Sequence, residues 1–276
     1  MTNNKLLISS TKLPLYRKRI IITSPRNYAS RLSQQIINLG GFPILMPTIE
    51  TCYLEDYSEL DTAIKRLAEF DWIVFTSRNG IEAFGQRLKF LAIPSSALKN
   101  CQLSAIGKDS ESLSALGLKV DLIPRESSPK GIINELSKIS DIAQKSVLIP
   151  VPEVVGIPEP DVIPNFVAGL QKLGMQVTPI PTYITRCLDK DIYEVELELI
   201  RQGKIDAIAF SSTAEVEGFL QMLKSPRDYQ HCILACFGPY TAANAQKLGI
   251  NVSIIAQDYS SFAGFAEAIA AFFTRH

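Results

Sequence analysis

Only two histidines occur in the 276 residues, His231 and His276, so a Ser-His-Asp triad or a histidine-rich metal centre has almost nothing to be built from. No G-x-x-x-x-G-K-[ST] loop is present and no G-x-G-x-x-G follows a strand, which removes the usual cradles for nucleotide phosphates. Excess charge is also missing. Lys plus Arg and Asp plus Glu both number 28, so there is no broad basic field of the kind that draws nucleic acid. The start of the chain lacks the apolar core of a signal peptide, and no run reaches the roughly 18 apolar residues of a membrane span. The expectation is a cytoplasmic protein without membrane or nucleic-acid partners. Five scattered cysteines, an odd number, fit neither a disulfide framework nor a paired metal site. Cys232 and Cys236 lie in an apolar strand-like run and read as buried thiols.

What the sequence does have is a repeat. "RIIITSPR" from Arg19 resembles "SVLIPVPE" from Ser146, each a β-branched run suited to a buried parallel strand. Amphipathic helices follow, with Leu32, Ile36 and Leu39 in one and Phe166, Leu170 and Leu173 in the other. "GGFPILMPTIET" then aligns with "LGMQVTPIPTYIT". "DWIVFTSRNGIEAFG" aligns with "DAIAFSSTAEVEGFL", which sets Phe75 opposite Phe210 at an offset of 135. "CQLSAIGKDSESLSALG" matches "CILACFGPYTAANAQKLG", with Gly107 opposite Gly238 at an offset of 131, and "VDLIPRESSPKGIINEL" matches "VSIIAQDYSSFAGFAEAI". Five segments in the same order imply duplication. The length suits two domains, and short β runs alternating with period-3.6 helices predict doubly wound parallel α/β sheets. Ligands of such sheets settle beyond the carboxyl ends of the strands, so the matched turns are the candidate site.

In those turns Thr76 and Ser77 stand where an N-cap belongs, ahead of an apolar stripe of Ile81, Phe84 and Leu88. Ser211, Ser212 and Thr213 occupy the corresponding turn. Gly107 and Gly238 end strands, with Ser110 and Thr241 three residues on, a pattern that suits either close approach to an anion or a simple tight turn. Arg78 and Lys108 directly follow strand ends and suit anion contact as well as solvated surface. Tyr183 breaks the repeat, because its counterpart is Ile49. A phenol with an ordinary pKa near ~10 stays protonated at neutral pH and can protonate a departing oxygen, although most strand tyrosines only pack. The Pro-rich stretch from Ile149 to Phe166 predicts an irregular loop.

The ordered set "VFTSRNGIEAF", "AIGKDS", "VTPIPTYITR", "IAFSSTAEV" and "CFGPYTAANAQKLG" resembles uroporphyrinogen-III synthase from about Arg19 to Phe273. That resemblance implies two flavodoxin-like doubly wound parallel-sheet domains, 1–47 plus 188–276 and 54–178, joined by a two-stranded antiparallel linker at 48–53 and 179–187, with the active site between them. It implies cyclisation of linear hydroxymethylbilane to uroporphyrinogen III, with inversion of the terminal pyrrole ring and loss of water, by a monomer that uses no cofactor. Tyr183 matches the family's proposed proton donor. Thr76, Ser77, Arg78, Gly107, Lys108, Ser110, Ser211, Ser212, Gly238 and Thr241 are then the expected contacts for the substrate's carboxylates. The chain departs from the family where it reads "PVPEVVGIPEPDV" and "TSPRN", so no contact is assigned to those turns. A two-lobed small-ligand sensor without catalysis is the alternative reading.

Overall fold

The computed structural model describes residues 12–158 and 160–275; His276 and the side chain of Lys108, both singled out above, lie outside the described residues. The chain divides into two compact units. Unit 1 takes residues 1–50, 156–158 and 186–276, and unit 2 takes 51–155 and 159–185. The divisions at Glu50 and Arg186 fall inside two strands, β3 (Ile49–Cys52) and β7 (Gln176–Cys187).

In unit 1 the strands are β1 (Arg19–Ile22), β2 (Phe42–Leu45), β8 (Ala207–Phe210), β9 (Ile233–Cys236) and β10 (Ile254–Ile255), in the spatial order β10-β9-β8-β1-β2. Every pairing is parallel: Ile20 sits opposite Pro43 on one side and Ala207 on the other. Because side chains alternate across a strand, the central strands β1, β8 and β9 each feed two cores. Ile21, Ile208, Phe210, Leu234 and Cys236 join one cluster, and Ile20, Ile22, Ala207, Ala209 and Ala235 join the other. Burial on both faces explains why these strands read as unbroken apolar runs. Helices α1 (Arg26–Asn38), α7 (Glu194–Arg201), α8 (Thr213–Met222), α9 (Pro239–Lys247) and α10 (Phe262–Arg275) belong to this unit.

The second sheet runs β3-β7-β6-β4-β5, built from β4 (Trp72–Phe75), β5 (Gln102–Ala105), β6 (Ser146–Val155) and the two strands named above. β4 pairs in parallel with β5 and β6, and Ser104 makes a further parallel bridge to Leu122. Trp72, Val74, Val147 and Ile149 face one core, while Ile73, Phe75, Leu103 and Leu148 face the other. Its helices are α2 (Ser58–Lys65), α3 (Arg78–Phe90), α4 (Ser110–Ala115), α5 (Pro129–Leu136) and α6 (Val162–Lys172).

The repeat reaches the packing itself. Phe75 meets Phe84 edge-on at 5.5 Å and Phe210 meets Phe219 edge-on at 5.4 Å. Ser128 accepts the Gly131 N–H at 3.0 Å, and 133 positions later Ser261 accepts the Gly264 N–H at 3.1 Å. Both glycines crowd the preceding turn: a Cβ on Gly131 would stand 2.1 Å from the Glu126 carbonyl oxygen, and one on Gly264 2.5 Å from that of Asp258.

One expectation fails. The Pro-rich stretch is not a loop from Ile149, because β6 continues through Pro150 and Pro152 to Val155 and α6 begins at Val162. The rungs between β6 and β4 stop at Leu148, so on that side the missing proline N–H groups interrupt no ladder. Cys232 and Cys236 are buried thiols, as the apolar run implies, and burial pushes their pKa values up to about 11 and about 12. Among the described residues, no helix is long and apolar enough to cross a membrane.

Candidate functional site

In unit 2 the turn after β4 brings four of the expected residues together. Ser77 is the N-cap of α3, its extended backbone turning the chain while its hydroxyl accepts the Gly80 N–H at 3.2 Å. The same hydroxyl lies 3.0 Å from the phenol oxygen of Tyr183 on β7. Tyr183 is buried, at 8% exposure. Removal from water raises its pKa to about 12; the Ser77 hydrogen bond opposes that rise and the nearby charge of Asp109 adds to it. Since the Ser77 oxygen already accepts from Gly80, its own proton is free to point at the phenol oxygen. In that orientation the phenol proton is free for another acceptor; in the reverse one the second lone pair of Ser77 takes it.

Arg78, the first residue of α3, pairs with Asp109 at 3.2 Å. Its Nε is buried and meets no hydrogen-bond acceptor among the described residues. An N–H of a charged group left unpaired in a buried place costs free energy, which an incoming carboxylate would recover. Thr76 is half-buried in the same turn.

The turn after β5 places Gly107 at φ +49, the left-handed region open to glycine, with a Cβ there only 2.8 Å from the Ser127 hydroxyl. Ser110 is buried and donates to the Gly107 carbonyl at 2.7 Å, so this hydroxyl tightens its own turn. The backbone of Lys108 lies between them.

Unit 1 arranges its matching turns differently. Gly238 is extended rather than left-handed; its need is room, because a Cβ would stand 3.0 Å from Tyr259. Thr241 is buried, with its hydroxyl 3.5 Å from the Ser211 carbonyl. Ser212 caps α8 by accepting the Glu215 N–H at 3.3 Å. The hydroxyls of Ser211 and Ser212 both donate to the Glu215 carboxyl group, so neither reaches a ligand without releasing it.

Glu215 and Asp109 are the two site-forming residues missing from the expectation. Ser212-Thr213-Ala214-Glu215 fits the [ST]-x-x-[DE] pattern of a capped helix start, a signal that was there to be read. The carboxyl group reaches one residue further back than that pattern requires, to the Ser211 N–H at 2.8 Å. Asp109 carries no local signal; only the fold brings it to Arg78.

Set beside known proteins, residues 30–266 match the family model described as uroporphyrinogen-III synthase HemD. The chain is 30% identical over 254 residues to the uroporphyrinogen-III synthase of Synechococcus elongatus, covering 90% of this chain and 92% of that one. It is 26% identical to the enzyme of that name from Chlorobaculum parvum, covering 92% and 98%. Among solved structures, a mutant uroporphyrinogen III synthase from Thermus thermophilus shares the fold with a TM-score of 0.68 at 18% identity, over 94% of this chain and 100% of that one. The Helicobacter pylori enzyme gives 0.54 at 18% identity, over 92% and 99%. With the family model matching most of its length and curated relatives matching nearly end to end, the chain belongs to the uroporphyrinogen-III synthase family.

Proposed function

We propose that the protein cyclises hydroxymethylbilane to uroporphyrinogen III, inverting the terminal pyrrole ring and releasing water, and that Tyr183 supplies the proton that the leaving hydroxyl needs. The observation that carries this reading is the contact of the buried Tyr183 with the half-buried Ser77 past the end of β4, next to an arginine whose Nε meets no acceptor among the described residues. In the step proposed, the C–O bond of the hydroxymethyl group breaks with the electron-rich pyrrole pushing, and the phenol proton leaves with the oxygen as water. The methylene carbon so exposed bonds to the already substituted α-carbon of the terminal pyrrole, giving a spiro intermediate; the bond from that α-carbon to its old bridge carbon breaks, the bridge carbon re-bonds to the ring's free α-carbon, and the proton lost from that carbon restores the phenol. Hydroxide is a far stronger base than a phenolate, so transfer from the phenol to the departing oxygen runs downhill even with the phenol pKa raised to about 12. Once the phenol is ionised, the Ser77 hydroxyl 3.0 Å away is the donor of the pair and offsets part of the charge left on the oxygen. No protein nucleophile is required, in keeping with the scarcity of histidine.

The substrate's acetate and propionate groups call for donors. In this reading they come from Thr76, Ser77 and Arg78, from the backbone of the Gly107–Ser110 turn including Lys108, and from the turn holding Gly238 and Thr241. Helix starts with free N–H groups suit carboxylates. The strand order of unit 1 is the 2-1-3-4-5 pattern of flavodoxin-like sheets when counted as β2-β1-β8-β9-β10. We read unit 2 as the same pattern entered at a different strand, and the stretches around β3 and β7 as the two-stranded antiparallel linker. A cytoplasmic, monomeric working state is part of the proposal.

Purified protein given hydroxymethylbilane should form mainly the type III macrocycle with no added metal, as read by chromatographic separation of the isomers. Formation of the uninverted isomer alone would refute the reading. Ser77→Ala should lower turnover by roughly tenfold, because the phenolate loses its donor, and lower stability by about 1 kcal/mol through loss of the cap. Steady-state kinetics paired with urea unfolding would separate the two effects.

A further inference from the structure

Around β1 the order of unit 1 reverses: β2 lies on one side and β8 on the other. The crevice past the carboxyl ends of β1 and β8 is therefore the switch point at which open α/β sheets hold their ligands. In this chain the carboxyl group of Glu215 is already there. Glu215 is 2% exposed and accepts the Ser211 N–H at 2.8 Å, the Thr23 hydroxyl at 2.8 Å, the Ser24 hydroxyl at 3.4 Å and the Ser212 hydroxyl at 3.2 Å, along with the Ser211 hydroxyl. Five donor groups face one carboxyl group, with the Thr23 hydroxyl shared with the Ala209 carbonyl at 2.9 Å and the Ser24 hydroxyl also 2.8 Å from that of Ser211. That is the geometry of a carboxylate receptor, filled from within. Burial raises the carboxyl pKa and the hydrogen bonds from Ser211, Thr23 and Ser212 oppose that rise.

Unit 2 is built otherwise at the matching place. The offset of 135 sets Ser77 opposite Ser212 and Gly80 opposite Glu215. Position 80 has no carboxyl group, and the Ser77 hydroxyl turns to Tyr183. A Cβ on Gly80 would meet Pro150 only at an ordinary contact distance of 3.4 Å, so packing at that carbon does not impose the difference.

We propose that Glu215 is a specificity-determining residue: its carboxyl group holds the β8–α8 turn closed to substrate carboxylates, which are received at the Thr76–Arg78 turn instead. The inference rests on the synthase reading given above. A tetrapyrrole chain repeats the same acidic unit, and duplicated lobes would offer it two near-equivalent turns. Filling one of them breaks that degeneracy and gives the substrate one way to sit.

The test uses the full chain with Glu215→Ala, which leaves a carboxyl-sized space lined by the five donors. Sodium acetate or formate, against sodium chloride at equal ionic strength, should raise the thermal midpoint of this variant by several degrees and leave the wild type unmoved. Glu215→Gln keeps the space filled and should not respond. A folded Ala variant that ignores both anions overturns the proposal. If the Ala variant does not fold in any of the salts, amide NMR of the wild type with uroporphyrin III decides. Movement at Ser77 or Arg78 with Ser211 unmoved supports the proposal, and movement at Ser211 overturns it. Failure of the acetate test leaves the synthase reading standing, since the isomer assay alone judges that.

Discussion

Tyr183→Phe should lower kcat by about a hundredfold or more while KM stays within about twofold. The phenyl ring keeps its place against the strand, so substrate binding loses little, whereas the departing oxygen loses the only acidic proton that the proposed scheme provides. Single-turnover kinetics would isolate the chemical step. A kcat within about threefold of wild type would remove Tyr183 from the reaction. The pH behaviour follows from burial: with the pKa raised from an ordinary 10.0 to about 12, wild-type turnover should show no alkaline decline from this residue until the pH nears 12. The sign for stability is fixed in the same way. The folded state holds the phenol proton more tightly than the unfolded chain, so this contribution is whole below pH 10 and is lost as the pH rises through about 12. Ultraviolet titration of tyrosinate, wild type against Phe, would read both values.

Gly131→Ala should destabilise the protein by about 2 kcal/mol or more, although alanine is the better helix former. The propensity gain in α5 is at most about 1 kcal/mol. Against it stands a methyl carbon 2.1 Å from the Glu126 carbonyl oxygen and 3.0 Å from the carbonyl carbon, a backbone group that cannot swing aside. Relief requires moving the turn, and with it the Ser128 hydroxyl that caps Gly131 and bonds Glu126 at 2.7 Å. The thermal midpoint should fall by roughly 5 °C or more, as calorimetry would show. An unchanged midpoint would mean that the 126–131 turn yields freely. The matching Gly264 sets an internal control, since its approach to Asp258 is 2.5 Å and the penalty should be somewhat smaller.

Much of this was legible in the sequence because duplication wrote it twice. The apolar runs from Ile20 and Val147, the paired phenylalanines and the capping hydroxyls of Ser77 and Ser212 each had a partner in the other half of the chain, in the same order. Tyr183 stood out for the opposite reason, as a place where the copies disagree. Glu215 against Gly80 is a disagreement of the same kind, masked by the hydroxyl residues that precede it. The commitment of Ser110, Ser211, Ser212 and Thr241 to internal partners was not legible, since a hydroxyl that caps a turn and one that meets a ligand have the same local sequence. Asp109 reaches Arg78 through the pairing of β4 with β5, which no window of neighbouring residues contains. Pro150 and Pro152 misled because proline argues against a strand only where its missing N–H is wanted.

The central strand of unit 1 waits a long time for its neighbour. Arg19 donates its N–H to the carboxylate of Asp206 across 187 positions, and β1 cannot complete its ladder until β8 has been made. All of unit 2 is synthesised in that interval. On the ribosome the inserted lobe can therefore collapse first, while the early β1-α1-β2 segment stands by with Ile20, Ile21 and Ile22 uncovered on its β8 side. Slow translation through residues 51–185 would prolong that exposure.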